Sequence, residues 1–249
     1  MTSRAGKYVA EPSRAGWLLF ELFLGLAGLY MLNAELWVFD IDEVGVGRVA
    51  FGAYLVVAFL LWLGLRRTDQ MHLGWANAVT GVRAVLVCFM TGVAMFPETL
   101  EVHLMNFLAL ALIALCLDGV DGWVARRKGE SSPLGARFDM ELDAAFILLL
   151  SFSVIQLDKA GVWVLMIGGM RYLFILASLW LPALKKPLYD SRRRKVICVV
   201  QVLALMVCLV PLVSASISAW LAALALLLLV YSFAVDTHWL LQQPGQSRH

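Results

Sequence analysis

Charged residues are scarce in this sequence. Only 15% of its 249 residues are Asp, Glu, Lys or Arg, whereas about 25% is typical of soluble domains. Hydrophobic residues make up 61% of the chain, and the mean hydropathy is +0.81. This composition excludes an ordinary soluble globule, a disordered chain and a coiled coil. The net charge of +2 is too small for a nucleic-acid-binding surface.

Cysteines with useful spacing are also missing. The four cysteines all lie in apolar runs and form no CxxC pair; they are Cys88, Cys116, Cys198 and Cys208. This pattern excludes a disulfide framework and a cysteine-based metal clip. Long hydrophilic segments are absent as well, so we expect no attached soluble domain.

Long apolar runs make up most of what is present. A helix needs about 20 apolar residues to cross a bilayer core, and eight runs approach that length. The runs predict an all-α polytopic membrane protein with eight transmembrane helices, at about 15–33, 48–65, 77–96, 104–126, 135–156, 162–182, 195–214 and 218–240. Glu21 within the first run, with no A-x-A pattern after it, favours a retained anchor over a cleaved signal peptide.

Basic residues concentrate in alternate loops. Most of the 20 Lys and Arg residues, including those at 126–128 and 192–195, fall on one side, and the opposite loops are mostly acidic. Positive loops usually stay in the cytoplasm, and they also suit contact with anionic membrane lipids. We therefore expect an integral protein of a bacterial inner membrane, with both termini in the cytoplasm.

Four aspartates lie inside the fourth and fifth predicted spans, where an ionisable residue marks a functional site. Asp118 and Asp121 are three residues apart, and Asp139 and Asp143 are four apart, so each pair shares a helix face. At 1.5 Å per residue, Asp121 and Asp139 lie about 6–8 Å from the helix ends, and Asp118 and Asp143 about 12 Å. A tight helical hairpin would bring the four carboxylates to two matched levels beneath the cytoplasmic surface.

Such a group of carboxylates cannot stay ionised in a low-dielectric pocket without compensation. The aspartates could protonate, as in a proton relay, or they could hold Mg²⁺, Mn²⁺ or Ca²⁺, which prefer oxygen ligands. Two such cations form a clamp for displacement at phosphorus. Gly122 and Ala125 continue the same helix face with almost no side chain, which leaves room for a flat group.

The spacing of these residues resembles the signature of the CDP-alcohol phosphotransferase family. All fixed positions of that signature are present in Asp118-x2-Asp121-Gly122-x2-Ala125-Arg126-x8-Gly135-x3-Asp139-x3-Asp143. Upstream, the family's N-x-x-T-x-x-R element is matched by Asn77, Thr80 and Arg83.

A downstream pattern resembles the phosphatidylglycerophosphate synthase branch of the family. Ser191, Lys195 and Gln201 match its S-x3-K-x5-Q pattern, although Arg194 stands where that branch usually has glycine. The resemblance covers residues 69–240 as a six-helix core. Residues 1–68 then hold an N-terminal cytoplasmic segment and two extra helices, and residues 241–249 form a cytoplasmic tail.

The resemblance implies an enzyme that transfers a phosphatidyl group from a CDP-linked lipid donor to an alcohol, with release of CMP. It implies two divalent cations, Mg²⁺ or Mn²⁺, on Asp118, Asp121, Asp139 and Asp143, with Asp143 also the general base. It places the nucleotide near Gly122, Ala125, Arg126, Gly135, Asn77 and Thr80. It also implies a homodimer.

The acceptor is suggested by basic residues, because arginine and lysine suit phosphate groups. We expect Arg171, in the sixth span, Lys195, at the start of the seventh, and Arg83 to bind glycerol 3-phosphate. The arginines at 192–194 fit positive-inside topology instead. Inositol phosphate, serine, and CDP-choline or CDP-ethanolamine donors are alternatives. A cation-coupled transporter and a silent scaffold are others, although no repeat symmetry typical of transporters is evident.

Two glutamates inside predicted spans, Glu141 and Glu21, also need partners. Glu141 is four residues from Arg137, on a face turned about 200° from Asp139, so these two can pair with each other. We expect them to make a protein contact rather than to touch the metals. Glu21 lies at a depth similar to that of Arg83, which makes it a candidate partner for that arginine.

Overall fold

The computed structural model describes residues 25–28, 30, 44–66, 75–128, 133–181 and 191–242. These residues form helices joined by turns, and they contain no β-strand. The all-α class predicted from the apolar runs is therefore confirmed.

We number the longer helices in chain order. They are α1 (Val44–Arg66), α2 (Trp75–Ala94), α3 (Pro97–Val102), α4 (Leu104–Lys128), α5 (Pro133–Gln156), α6 (Leu165–Trp180), α7 (Arg192–Leu209) and α8 (Ala215–Gln242). A 3₁₀ turn, Val162–Val164, precedes α6, and residues 25–28 and 30 are also helical.

Each predicted span after the first coincides with one of these helices, whereas the first lies mostly outside the described residues. Three stretches in the described part are long and apolar enough to cross a membrane: Val44–Gly64, Val162–Trp180 and Ala215–Gln242. Val79–Ala94 and Leu104–Val120 are shorter apolar helices. The chain is thus an integral membrane protein, and the total of eight spans stays a prediction.

Helix α2 lies between several others. It packs against α1, α4 and α5, and its residues 83–90 are all buried. A helix that is buried on every face must find partners within the protein for any polar group it carries. This requirement applies to Arg83, which begins the buried stretch.

Two glycines allow neighbouring helices to approach closely. A Cβ at Gly92 of α2 would lie 2.5 Å from the carbonyl oxygen of Val46 in α1. A Cβ at Gly168 of α6 would overlap the backbone of Leu148 in α5. Small residues commonly bring membrane helices together in this way, so these positions fix α1 on α2 and α6 on α5.

Lys159 joins two turns at the end of the protein that lies opposite the aspartates. Its ammonium group donates to the carbonyl of Val213 at 2.6 Å and lies 3.5 Å from those of Val210 and Pro211. Cations are favourable near helix C-termini, where carbonyl groups lack partners. The turn after α5, in which Asp158 has a φ of 52°, is thereby joined to the turn between α7 and α8.

Candidate active site

Three aspartates from two helices meet at one place. Asp118 comes from α4, and Asp139 and Asp143 come from α5; each offers an oxygen, and these oxygens lie within 4.8 Å of one another. Asp121 is in the same helix as Asp118, but its side chain lies outside the described residues. The expected convergence of carboxylates from the two helices is therefore seen for three of the four.

Arg83 of α2 lies against all three carboxylates. Its Nη1 is 2.9 Å from Oδ1 of Asp118 and 2.8 Å from Oδ1 of Asp139, and its Nη2 is 2.6 Å from Oδ1 of Asp143. Both α4 and α5 pack on α2, so one guanidinium joins three helices. The proposed partner Glu21 lies outside the described residues.

Burial differs sharply between the arginine and the carboxylates. The Arg83 side chain is 2% exposed, whereas those of Asp118, Asp139 and Asp143 are 30%, 36% and 27% exposed. The guanidinium thus lies on the buried side of the cluster, and the carboxylates lie between it and the accessible surface. This leaves their outer edges accessible to a ligand.

The chemistry of this donor set fits a hard divalent cation. Three carboxyl groups surround the single guanidinium of Arg83, so acidic groups outnumber basic groups in the cluster. All of the donors are oxygens, which suits Mg²⁺ or Mn²⁺ and disfavours zinc. The described residues therefore fit the cations that the sequence predicts.

A small cavity adjoins the cluster, and α7 forms one of its walls. Its lining contains both charged and apolar groups: Arg83, Leu115, Asp118, Asp143, Phe146, Cys198, Val199 and Val202. The contribution of Cys198, Val199 and Val202 was not predicted from the sequence. Through these residues, the middle of α7 lies beside the carboxylates.

The residues expected near the nucleotide are only partly described. Thr80 of α2 and Gly135 of α5 are buried, and each lies one helical turn before a residue of the cluster. For the others the backbone is helical and the side chains lie outside the described residues; they are Asn77, Gly122, Ala125 and Arg126. Their nucleotide-binding roles stay predictions.

The residues expected at the acceptor occupy three different places. Arg83 belongs to the carboxylate cluster. Arg171 of α6 pairs with Glu141 of α5, with Nη2 2.5 Å from Oε1 and Nε 3.5 Å from Oε2. Lys195 is exposed in the first turns of α7. The acceptor-binding roles of all three stay predictions.

Glu141 does make a protein contact, but its partner differs from the one expected. The carboxylate binds Arg171 rather than Arg137, because α6 packs on α5 and brings the guanidinium beside it. Glu141 thus pairs with Arg171 of the neighbouring helix α6, and not with Arg137, which lies four residues before it on α5.

One charged residue in the last helix was not singled out from the sequence. Asp236 of α8 is 3% exposed and pairs with Arg193 and Arg194 of α7. The signal was present in the sequence, because an aspartate inside a predicted span is an ionisable group that needs a partner. Arg193 and Arg194 thus bind a buried carboxylate, rather than serving only topology.

The helices and the carboxylate cluster together define a helical membrane protein with a site suited to divalent cations. The chain belongs to the CDP-alcohol phosphatidyltransferase family, whose sequence model matches residues 71–231. A search of curated proteins and a search of solved structures each found no significant match. The matched range lies inside the core predicted at 69–240.

Membership of this family gives the general activity. The chain is a transferase of substituted phosphate groups and a membrane enzyme of phospholipid synthesis. Such enzymes use CDP-alcohol donors and alcohol acceptors and typically depend on divalent cations, in keeping with the group formed by Asp118, Asp139 and Asp143.

Proposed function

We propose that this enzyme transfers a phosphatidyl group from CDP-diacylglycerol to glycerol 3-phosphate and releases CMP. The proposal depends on the three partly exposed carboxylates above a buried Arg83, inside the region that matches the family. In this reaction the acceptor hydroxyl oxygen bonds to the phosphorus that carries diacylglycerol. The bond between that phosphorus and the CMP oxygen breaks, and the hydroxyl proton passes to a base.

Asp143 is the residue we assign as the base. It lines the cavity together with Asp118, and Arg83 contacts its Oδ1 at 2.6 Å. A general base must come within hydrogen-bond reach of the proton it takes, and Asp143 would be within that reach of an acceptor hydroxyl bound in the cavity. Arg83 acts as a positioning residue, because its contact sets the orientation of the Asp143 carboxylate.

We assign Asp118, Asp121, Asp139 and Asp143 as the ligands of two divalent cations, Mg²⁺ or Mn²⁺. Bound cations of this kind neutralise a diphosphate and stabilise the departing phosphate oxygen. The chain supplies the oxygen ligands from two helices, and Arg83 limits the repulsion between them. Gly122 and Ala125 would leave space for the cytidine, with Asn77, Thr80, Arg126 and Gly135 near the nucleotide.

Lys195 is the residue we assign to the acceptor phosphate. It precedes Cys198 and Val199 by about one helical turn, and these residues line the cavity. Arg171 would reach a phosphate only by sharing its guanidinium with Glu141. The pattern formed by Ser191, Lys195 and Gln201 supports the phosphatidylglycerophosphate synthase branch and therefore glycerol 3-phosphate as the acceptor.

A panel of acceptors tests this assignment. Purified enzyme with CDP-diacylglycerol and Mn²⁺ should release CMP with glycerol 3-phosphate, and much less with inositol phosphate or serine. Lys195→Gln should raise the KM for glycerol 3-phosphate by about tenfold or more, the loss expected for one charged hydrogen bond. Arg48→Gln, which removes an exposed positive charge from α1, is the matched control.

Other outcomes of the panel would assign a different substrate. Preference for inositol phosphate or serine would overturn the acceptor and leave the reaction class intact. Release of CMP only from CDP-choline or CDP-ethanolamine, with diacylglycerol as acceptor, would overturn the donor. Cation-coupled transport without CMP release would overturn the proposed function itself.

We also propose a homodimer in which the surface around Glu141 faces a second copy. The side chains of Arg171 and Glu141 are 31% and 49% exposed, and Glu141 lies about 12 Å along α5 from Pro133. An ion pair at that depth is costly against lipid, whereas a second copy would cover it.

Glu141→Gln should lower the dimer fraction measured by mass photometry in detergent, with turnover per folded enzyme retained. Glu98→Gln, in the short helix α3, is the matched control for loss of an exposed acidic group. Loss of turnover in Glu141→Gln with folding and assembly intact would instead assign Glu141 a part in the reaction.

A further inference from the structure

A buried carboxylate outside the catalytic cluster joins α8 to the first turn of α7. Oδ1 of Asp236 accepts a hydrogen bond from Nη2 of Arg193 at 2.5 Å, and its Oδ2 lies 3.8 Å from Nη1 of Arg194. The Asp236 side chain is only 5% exposed. The family match ends at residue 231, before this aspartate.

Breaking this contact is costly in free energy, because the buried Asp236 carboxylate would be left without a compensating positive charge. Further along the same helix pair, Nε2 of Gln201 donates to the carbonyl of Ala225 at 2.9 Å. Arg193 and Gln201 are separated by eight residues, or about 80° around the helix, so one side of α7 is tied to α8 at two levels.

The opposite side of α7 faces the catalytic cavity. Lys195 follows Arg193 by two residues, about 200° around the helix. Cys198, Val199 and Val202, which line the cavity beside Asp118 and Asp143, lie within about 60° of Lys195 on that side. With Arg193 held on α8, the rotation of α7 therefore directs Lys195 toward the cavity side.

We infer that Asp236 is a positioning residue of the acceptor site, which holds Arg193 and thereby sets the direction of Lys195. The inference rests on the proposed function, in which Lys195 binds the acceptor phosphate. Asp236 touches no reacting group, and it acts only through the rotation of α7.

Steady-state kinetics of Asp236→Asn test this role. We expect the KM for glycerol 3-phosphate to rise by about tenfold, as for loss of a charged hydrogen bond, with the KM for CDP-diacylglycerol changed by less than about twofold. In a Lys195→Gln background, the same substitution should add less than about twofold, because coupled residues are non-additive.

Ser218→Ala is the matched control within the same helix. Ser218 is buried, and its hydroxyl donates to the carbonyl of Cys208 at 3.2 Å, at the other end of the α7–α8 pair. Its replacement weakens the same helix contact far from Lys195, so the acceptor KM should stay at the wild-type value.

A lower melting temperature in Asp236→Asn without a change in acceptor KM would overturn the inference. Full additivity with Lys195→Gln would overturn it too. If Asp236→Asn does not fold, Asp236→Glu retains the charge and displaces it by one methylene; an unchanged acceptor KM in that variant would contradict the inference. Wild-type enzyme that releases no CMP with any acceptor would identify failure of the proposed function, and the inference would fall with it.

Discussion

Arg83 is the residue on which the geometry of the carboxylates depends. It joins α2 to Asp118 of α4 and to Asp139 and Asp143 of α5, with each contact at 2.9 Å or less. Loss of one partner from a fully buried ion pair costs about 3–5 kcal/mol, and we expect a smaller cost here because the three carboxylates are partly exposed. Without the Arg83 guanidinium, the three carboxylates would lie next to one another with no positive charge between them.

We therefore predict that Arg83→Met lowers the melting temperature in EDTA by several degrees. Mn²⁺ should raise the melting temperature of the variant more than that of the wild type, because a cation offsets the exposed repulsion. Differential scanning fluorimetry in detergent measures both quantities. Arg48→Met, at an exposed arginine of α1, is the matched control, and equal melting temperatures for Arg83→Met and wild type in EDTA would contradict this role.

Local contacts of single residues were predictable from the sequence, whereas long-range contacts were not. Asp118, Asp139 and Asp143 were predicted to converge because helix periodicity places Asp139 and Asp143 on one face, and a tight hairpin of adjacent helices brings Asp118 to a matching depth. The arginine among them was not assigned to that place, since its contacts span 56 and 60 residues in sequence to Asp139 and Asp143. The partners of Glu141 and Asp236 were unpredicted for the same reason: each lies on another helix.

At the scale of the helices, close packing depends on single positions without a side chain. Gly168 of α6 lies against the backbone of Leu148 in α5, so a Cβ there has no space. A Cβ at the next residue, Gly169, would lie in open space, with no packing neighbour within 4 Å among the described residues. These adjacent glycines offer a comparison in which helix propensity changes equally.

We predict that Gly168→Ala destabilises the protein by about 1–3 kcal/mol, the usual cost of overpacking. Gly169→Ala should be neutral or slightly stabilising, because alanine favours the helix over glycine. Thermal unfolding of the two variants in the same detergent measures the difference. A Gly168→Ala variant as stable as Gly169→Ala would show that α6 is not held on α5 at this point.

The long helices were predictable from the sequence, because an apolar run of about 20 residues can cross a membrane as a helix and in few other conformations. The short helix α3 was missed because its six residues, Pro97–Val102, contain too few apolar positions to form a run. Its start is nevertheless favourable, since proline and an acidic residue suit the first turn of a helix.

At the scale of the whole molecule, the orientation in the membrane decides where substrates enter. The basic loops predict that both termini and the site face the cytoplasm. A fluorescent protein fused after His249 should fluoresce, whereas alkaline phosphatase at that position should be inactive. Fusions after Ala160, in the turn beside Lys159, should give the opposite pattern. Active phosphatase fused after His249 would contradict the orientation.

We propose that the carboxylate cluster catalyses transfer of a phosphatidyl group to glycerol 3-phosphate. The most direct measurement is CMP release from CDP-diacylglycerol and glycerol 3-phosphate by purified enzyme, with Mn²⁺ or with EDTA. We predict CMP release by the wild type and by the Glu98→Gln control. We predict at least about a hundredfold loss in Asp143→Asn, the usual contribution of a general base, and loss in EDTA. Unchanged CMP release by folded Asp143→Asn, or full activity in EDTA, would contradict catalysis by the carboxylate cluster.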